Sequence, residues 1–336
     1  MVTPEEQTDW GSKVRKNAVL IVAMLLSLNT VVYCDNSSPS NQECLEKQSA
    51  TRTQDATTLT LSCYANNLKK LDARDPNSVR AAINEYDRLF DKRGALSDKG
   101  YISFENYFYE VIESQNKRLN EETSNSLNKA IKSLDPSQYE MPAGYLSRNQ
   151  KTIKNKALDA LYENGMDLFI SEGDIYIGER PGFLYESFSN KVSPDLSEFL
   201  KLRSNELGEG FQDDAHLLIS FSKVADRVGR WEQYIMKYPH SIMLDEAKHY
   251  YNMYLGTLLF GLDGSRVFED KNTIRRQNIH IYKNYIASHQ GAKSSFLINE
   301  YIMVLGKDNF KWGDNVNLFI KKHNIEVLIG VQPPTR

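Results

Sequence analysis

The clearest structural pattern in the sequence is "WEQYIMKYPHSIMLDEAKHYYNMYL", from Trp231 to Leu255. Its apolar residues recur every three or four positions, the spacing of a helix with one buried face. Because proline stops a helix just past its end, Pro239 separates a predicted helix over about 217–238 from a second helix over about 244–258. The turn between them is only a few residues long, so the two helices should lie antiparallel.

The same pattern recurs further along the chain at a constant offset of 51. Trp231, Tyr234 and Tyr250 are matched by Tyr282, Tyr285 and Tyr301. The match is of apolar positions rather than of identity, which favours stacked helical hairpins over a true duplication. Helical spacing also appears earlier, over 79–90, 104–112 and 127–134. The predicted fold class is therefore mostly α, with stacked antiparallel helical hairpins of irregular period and at most one or two short strands.

The segment Trp231–Leu255 resembles the helix-turn-helix of tetratricopeptide-like envelope proteins. The matching residues are Tyr238, Pro239, Ser241, Glu246 and Ala247, followed by Tyr250 and Tyr251. Ser241 is placed to cap the second helix. The resemblance covers about 25 of the 336 residues, and the chain lacks the family's regular period of about 34 residues. It implies a scaffold for protein or peptide contacts and implies no chemistry.

The N-terminal segment predicts where the chain is delivered. Lys13, Arg15 and Lys16 precede a largely apolar run from Ala18 to Val32. A run of about 15 residues has the length of a signal-peptide core and is short for a membrane span. Basic residues before the run, with Asp35 after it, direct the bulk of the chain away from the cytoplasm. The prediction is an exported, membrane-anchored protein of the bacterial cell envelope, on the periplasmic or extracytoplasmic face.

Three fates remain open for this segment. The stretch Val31–Cys34 resembles the lipobox of bacterial lipoproteins, which implies Cys34 as the lipidated residue. The chain departs from that pattern at Tyr33, where a small residue is expected. Cleavage by a general signal peptidase and retention as a signal anchor are the alternatives.

The cysteine count bears on the same question. If Cys34 carries lipid, Cys44 and Cys63 are left as a candidate disulfide for an oxidising compartment. Three unconnected thiols are the alternative. The three cysteines have no C-x-x-C spacing and no histidine nearby, so no metal site is predicted from them.

Composition divides the chain into four predicted segments. They are a signal or anchor segment at 1–34, a polar flexible tether at 35–65, an N-terminal helical subdomain at 66–135 and a C-terminal hairpin subdomain at 150–336. The tether is rich in Ser, Thr, Asn and Gln. The boundary between the subdomains is placed at "DPSQYEMPAGYLSRNQ", which contains two prolines and a glycine.

Overall composition is that of an ordinary globular chain. Hydrophobic residues make up 40% and charged residues 25%, with a formal net charge of -3. This balance gives no general electrostatic reason to bind nucleic acid, and no nucleic-acid partner is predicted. No Walker A, Rossmann, H-E-x-x-H or G-x-S-x-G pattern occurs, so no cofactor is predicted.

The segment "SEGDIYIGERPGF", Ser171 to Phe183, is the candidate catalytic site. Ile175 and Ile177 alternate with polar residues between glycines, as in a short strand or an ordered loop. Glu172, Asp174 and Glu179 are the candidate catalytic residues, since a pair of carboxylates is what glycoside cleavage needs. A surface loop with a local ion pair is the alternative. The C-terminal "IEVLIGV" is a second candidate strand and a candidate partner for the first.

Two clusters look chemical but have simpler interpretations. Asp245, Glu246 and His249 have helical spacing, but the chain has no second Glu-x-x-His. We therefore interpret the acids as a first-turn pair on a solvated helix face and predict no metal. Asp213 and Asp214, just before His216, are interpreted as helix N-cap residues.

The binding candidates are Tyr250, Tyr251 and Tyr254, which lie close together on one predicted helix. Their rings would line a groove for a peptide or glycan, or else form part of the core. The leading functional prediction is an exported, membrane-tethered binding or scaffold protein with an unknown protein or peptide partner. An envelope-polymer hydrolase that uses the acidic loop at 172–180 is the alternative. A third possibility is a periplasmic solute-binding helper, for which no feature of the sequence gives support.

Overall fold

The computed structural model describes residues 53–120, 156–171, 174–269, 272–325 and 327. These residues belong to one compact unit, Cys44–Arg336. In the described part of the chain eleven helices accompany three small antiparallel strand pairs. The prediction of a mostly α fold is confirmed.

The described part of the chain begins with three helices, α1 (Thr53–Leu68), α2 (Ser78–Leu89) and α3 (Ala95–Asn120). A short helix, a strand pair and two further helices follow: α4 (Lys156–Glu163), β1 (Met166–Ser171), β2 (Asp174–Glu179), α5 (Phe183–Phe188) and α6 (Pro194–Glu209). The next group consists of β3 (Gln212–Asp213), β4 (His216–Leu217), α7 (Phe221–Lys237) and α8 (Leu244–Phe260). The last group consists of β5 (Gly261–Leu262), β6 (Ser265–Arg266), α9 (Arg276–Ser288), α10 (Lys293–Lys307) and α11 (Asp314–His323).

Helix α1 begins inside the segment that was predicted to be a tether. That segment ran to residue 65, but the helix starts at Thr53. Tyr64 and Leu68 lie four residues apart on α1 and are both buried, and the Tyr64 hydroxyl donates a hydrogen bond of 3.0 Å to the Ala82 carbonyl. This apolar spacing lies among Ser, Thr and Asn residues, whose composition conceals it.

The strand at Ile175 and Ile177 is confirmed as part of β2, but its partner differs from the prediction. It pairs with β1, so that Leu168 lies opposite Ile177. Asn116 of α3 holds the pair in place, because its side chain accepts from the Ile177 N–H at 2.8 Å and donates to the Ile177 carbonyl at 2.7 Å. Most of the C-terminal candidate strand, like the stripe at 127–134, lies outside the described residues.

The predicted hairpin at Pro239 is present as α7 and α8. The Trp231 ring stacks on that of Tyr250 with centroids 4.7 Å apart, and Arg227 donates to the Tyr254 hydroxyl at 3.0 Å. Residues later in α7 therefore meet residues earlier in α8, which makes the two helices antiparallel. The turn differs from the prediction, since Met243 is the N-cap of α8 and Ser241 instead shares a hydrogen bond of 2.7 Å with Tyr234.

The recurrence found in the sequence corresponds to a second antiparallel hairpin, α9 and α10. Tyr285 shares a hydrogen bond of 2.7 Å with Ser294, as Tyr234 does with Ser241 in the first hairpin. Tyr282 and Tyr301 have ring centroids 6.0 Å apart across the pair. Stacked helix pairs are therefore present at the spacing that the sequence indicates.

Each of the two hairpins follows a glycine and a strand pair that the sequence analysis missed. Gly210 ends α6 with φ 72°, and Gly261 ends α8 with φ 81°. Residues that have a side chain rarely adopt a positive φ. In addition, a Cβ at Gly261 would lie 2.5 Å from the Ser265 carbonyl oxygen. These glycines therefore direct the chain out of one helix and into the strand pair before the next.

The strand pair β3–β4 also corrects the interpretation of Asp213, Asp214 and His216. Asp213 and His216 are paired across the two strands and do not begin a helix. Helix α7 starts four residues after β4, where the Ser220 hydroxyl accepts from the Lys223 N–H at 3.2 Å as its N-cap. Asp214 lies in the turn with φ 45°, a conformation that Asp tolerates better than most residues.

None of the described helices combines the length and the apolarity that a bilayer crossing requires. The predicted signal or anchor segment at 1–34 lies outside the described residues, as does Cys34.

Candidate functional site

A stripe of charged residues runs along the inner side of α6. Arg203, Glu206 and Glu209 are three residues apart, so they share one face of the helix. Arg203 and Glu206 are buried, an arrangement that proteins rarely use unless each charge is paired. The two buried groups lie in two clusters, one at each end of the stripe.

The first cluster, here the Arg203 cluster, consists of Glu105 and Tyr109 from α3, Glu179 from β2 and Arg203 from α6. The guanidinium donates to Glu105 Oε1 and to Glu179 Oε2, both at 2.5 Å. It also contacts the Tyr109 hydroxyl, which itself donates to Glu179 Oε2 at 2.8 Å. The cluster therefore fastens α3 and β2 to α6.

The Arg203 cluster contains more acid than base. Burial, followed by the nearby charge of Glu105, raises the pKa of Glu179 well above its usual range. Glu246, from the first turn of α8, faces the same cluster. Burial raises its pKa to about 7, with a further contribution from Glu105 that Arg203 partly offsets.

Glu246 stands out because its carboxylate has no hydrogen bond or ion pair within the described residues. Its neighbours in the sequence point elsewhere: Asp245 is exposed and paired with Lys248 at 3.1 Å, and His249 is exposed. Asp245 is thus solvated as predicted, whereas Glu246 is only half-exposed and faces the Arg203 cluster. Among the described residues no His, Cys, Asp and Glu side chains converge as a metal site.

The second cluster, here the Glu206 cluster, lies at the C-terminal end of α6. Glu206 Oε2 accepts from the Tyr254 hydroxyl at 2.8 Å, and Glu206 Oε1 accepts from the Trp231 indole N–H at 3.0 Å. Arg227 donates to the Gly210 carbonyl at 2.7 Å and to Glu209 at 3.0 Å. Burial raises the pKa of Glu206, and the charge of Arg227 partly offsets that effect.

The three predicted catalytic residues do not form a described site. Glu172 lies outside the described residues, and Asp174 begins β2 opposite Ser171 with a side chain that is not described. Glu179 ends the same strand, and its carboxylate is occupied by Arg203 and Tyr109. Because those donors hold it between three elements, Glu179 acts as a structural group in this arrangement.

The three predicted binding tyrosines differ in their surroundings. Tyr254 is buried in the Glu206 cluster, whereas Tyr250 and Tyr251 are half-buried. Tyr250 stacks on Trp231 and lies near Arg203 and Glu246, which links the two clusters. A binding role for these rings stays a prediction.

Cys63 is buried and disulfide-bonded. Its partner lies outside the described residues, so the pairing with Cys44 stays a prediction.

Sequence reasoning missed Glu105, Arg203 and Glu206, although α6 carried a usable signal. Its buried apolar residues Leu196, Phe199 and Leu200 set a spacing of three and four that Arg203 and Glu206 continue. A charged residue on the apolar face of a helix must find a partner when it is buried. The identity of the partners follows only from the folded structure, since Glu105 and Arg203 are 98 residues apart.

Comparison of the chain with protein-family models, with curated proteins and with solved structures finds no match. The described helix pairs are loosely compatible with a helical-hairpin repeat.

Proposed function

We propose that the protein is an exported helical binding or scaffold protein of the bacterial cell envelope, tethered to a membrane through its N-terminal segment or a lipid on Cys34. Its body resembles a tetratricopeptide-like hairpin stack, and its partner is a protein or peptide. The observation that supports the proposal is the presence of two antiparallel helix pairs, α7–α8 and α9–α10, the architecture that the resemblance implies for a scaffold of protein or peptide contacts. Of the catalytic candidates of the hydrolase alternative, Glu179 is held by Arg203 and Tyr109 between three elements.

The compartment has separate support. Disulfides persist in oxidising compartments and are rare in the bacterial cytoplasm, and Cys63 is disulfide-bonded. The basic residues before the apolar run at 18–32 and the acid after it favour the same destination.

The test of the tether is intact-mass and N-terminal analysis of the mature protein from a bacterial host, combined with fractionation. The proposal expects the protein in a membrane fraction, with diacylglycerol on Cys34 or a retained apolar segment. A full-length chain with reduced thiols in the cytoplasmic fraction would contradict it.

The test against the hydrolase alternative uses a double substitution, Glu172→Ala with Asp174→Ala, in the full chain. Under the proposal, recovery of crosslinked partners is unchanged. Cleavage of an envelope polymer that the wild type performs and the double variant does not would favour the hydrolase.

A further inference from the structure

The outer side of α10 and α11 exposes apolar residues among lysines. On α10, Phe296 and Met303 are 69% and 57% exposed, and on α11 Leu318 is 64% exposed. Large apolar side chains that are exposed together on one surface, with polar residues around them, mark a site of interaction. Opposite them, Tyr301 and Phe319 face inward, with ring centroids 5.2 Å apart.

The three residues share one side of the helix pair. On α10, Phe296 and Met303 are seven residues apart, two helical turns, with the exposed Lys293 and Lys307 at either end of the row. Glu300 lies beside this row and bonds to Lys322 of α11 at 2.6 Å. That ion pair joins the exposed sides of the two helices. We name Lys293, Phe296, Met303, Lys307, Leu318 and Lys321 the terminal face.

The charge of the terminal face is positive. Its three lysines are exposed and have no ion-pair partner within the described residues. Glu300, the acid beside the row, is already paired with Lys322. Asp308 and Asp314 lie nearby and offset part of the positive charge. Asp308 accepts a hydrogen bond from Asn315 at 2.6 Å, and Asp314 is in the first turn of α11, where the helix dipole favours an acid.

The lysines and exposed apolar residues of the terminal face help to decide whether it binds a protein or a lipid bilayer. The core of a protein–protein interface is depleted in lysine, because lysine is costly to desolvate. Helices that lie on a bilayer have apolar residues flanked by lysines, whose stems lie along the acyl boundary while their charges meet anionic headgroups.

We infer that the terminal face rests on an anionic lipid bilayer. The inference relies on the proposed membrane tether to bring the body near a bilayer. The lysines attract the anionic headgroups, and Phe296, Met303 and Leu318 enter the boundary between headgroups and acyl chains. The protein would then touch the membrane through both the N-terminal tether and the terminal face.

The test uses the full chain with the photocrosslinking residue p-benzoylphenylalanine at position 296. The protein is added to vesicles of phosphatidylcholine alone, or of phosphatidylcholine and phosphatidylglycerol in a ratio of two to one. The same residue at Met236, which is 65% exposed on α7, is the matched control position. We expect lipid adducts at 296 that exceed those at 236 and increase with phosphatidylglycerol. Equal yields at both positions, or a protein–protein adduct at 296, would overturn the inference.

Charge reversal provides the second measurement. Each lysine near an anionic surface contributes about fivefold to binding, so Lys293→Glu with Lys307→Glu should lower the adduct yield by about tenfold or more. The control is Arg80→Glu with Lys99→Glu, which makes the same change in net charge at exposed positions on α2 and α3. Equal yields from the two double variants would contradict the role of the lysines.

Failure of the tether and failure of the terminal face give different results. Flotation of the vesicles in a density gradient separates the two. If the protein does not float with neutral vesicles but forms adducts with anionic ones, it binds the bilayer through the terminal face and lacks the tether. A chain that floats with both vesicles and forms no adduct at 296 has the tether, and the inference is wrong.

Discussion

The two junctions between successive helices, α6–α7–α8 and α8–α9–α10, place buried side chains at corresponding positions, related by the offset found in the sequence. In the first junction these are Glu206, Arg227, Trp231 and Tyr254, and in the second they are Thr257, Asn278, Tyr282 and Leu305. One set contains an acid and a base, whereas the other contains no ionisable pair. Both sets surround the end of a helix that stops at a glycine with positive φ.

In both junctions, buried side chains donate hydrogen bonds to the carbonyls at the end of a helix, but the donors differ. At the end of α6, Arg227 donates to the carbonyls of Glu206 and Gly210. At the end of α8, the hydroxyls of Tyr282 and Tyr301 donate to the Leu259 carbonyl. The second junction shows that buried charge is not needed to close such a helix end. In the first junction, removal of any one partner would leave a buried charge uncompensated and so destabilise the folded state.

The largest effect should come from Arg227→Met in the first junction. It leaves the Glu206 carboxylate buried without its cation and removes the donors to the end of α6, so we expect a loss of about 3 to 5 kcal/mol in the free energy of unfolding. The matched change in the second junction, Asn278→Leu, should cost less than about 1.5 kcal/mol because no charge is stranded. Urea unfolding measures both, and equal losses would remove the distinction between the junctions.

The next largest effect should be a pH dependence at the Arg203 cluster, which lies on α6 beside the first junction and has no counterpart among the described residues of the second hairpin. The pKa of Glu246 is about 7 in the folded protein and 4.5 in the unfolded chain, so between these values the folded state holds a proton that the unfolded state lacks. The free energy of unfolding should therefore decrease as pH rises from 4.5 to 7. The contribution of Glu246 to the slope should stay below about 1.4 kcal/mol per pH unit, the limit for one proton, because the carboxyl is partly exposed.

The variant Glu246→Gln should flatten this dependence and leave the protein more stable than wild type above pH 7. The comparison is Glu300→Gln on the second hairpin, where the carboxylate is already paired with Lys322. If the wild-type stability falls over this pH range and Glu246→Gln leaves that fall unchanged, the assignment to Glu246 is wrong.

Removing single hydroxyls should have a smaller effect. Tyr254→Phe deletes one donor to Glu206 and one acceptor from Arg227, and should cost about 1.5 to 3 kcal/mol because both partners are charged. Tyr282→Phe deletes one neutral donor, which the Leu258 and Leu259 carbonyls share, and should cost about 1 kcal/mol. Thermal or urea unfolding of the pair tests the order, which the reverse ranking would contradict.

The smallest effect belongs to the rim of the first junction. Lys223 and Glu209 form an ion pair of 2.7 Å whose side chains are about a third exposed. Lys223→Ala should change the free energy of unfolding by less than about 1 kcal/mol, since exposed pairs are screened by water. A loss comparable to that of Arg227→Met would mean that the Glu206 cluster extends to the surface.

The sequence predicted the parts of the fold that depend on local spacing. The apolar rows around Pro239 gave α7 and α8, and the alternation at Ile175 and Ile177 gave β2. The strand pairs of two residues each were missed because no alternation fits into so short a segment. Gly210 and Gly261 were a missed signal, since each follows the last apolar residues of a helix and they are related by the same offset as the two hairpins.

The candidate site was less predictable, for a different reason. Glu179 and Tyr250 were identified as residues of interest, but the sequence could not show that both lie near Arg203. That proximity comes from the packing of α3, β2, α6 and α8, which joins positions far apart in the chain. Glu246 was taken for a solvated residue because a first-turn acid has a sufficient local explanation in the helix dipole.

The order in which the helices stack has a consequence for how the protein opens. Among the described helices, α7 contacts α6, α8, α9 and α10, whereas α11 packs chiefly on α10. Local unfolding begins where an element has few packing partners. Amide hydrogen exchange should therefore be faster in α11 than in α10 and slowest in α7, so the surface that carries the exposed apolar residues belongs to the least protected part of the hairpin stack.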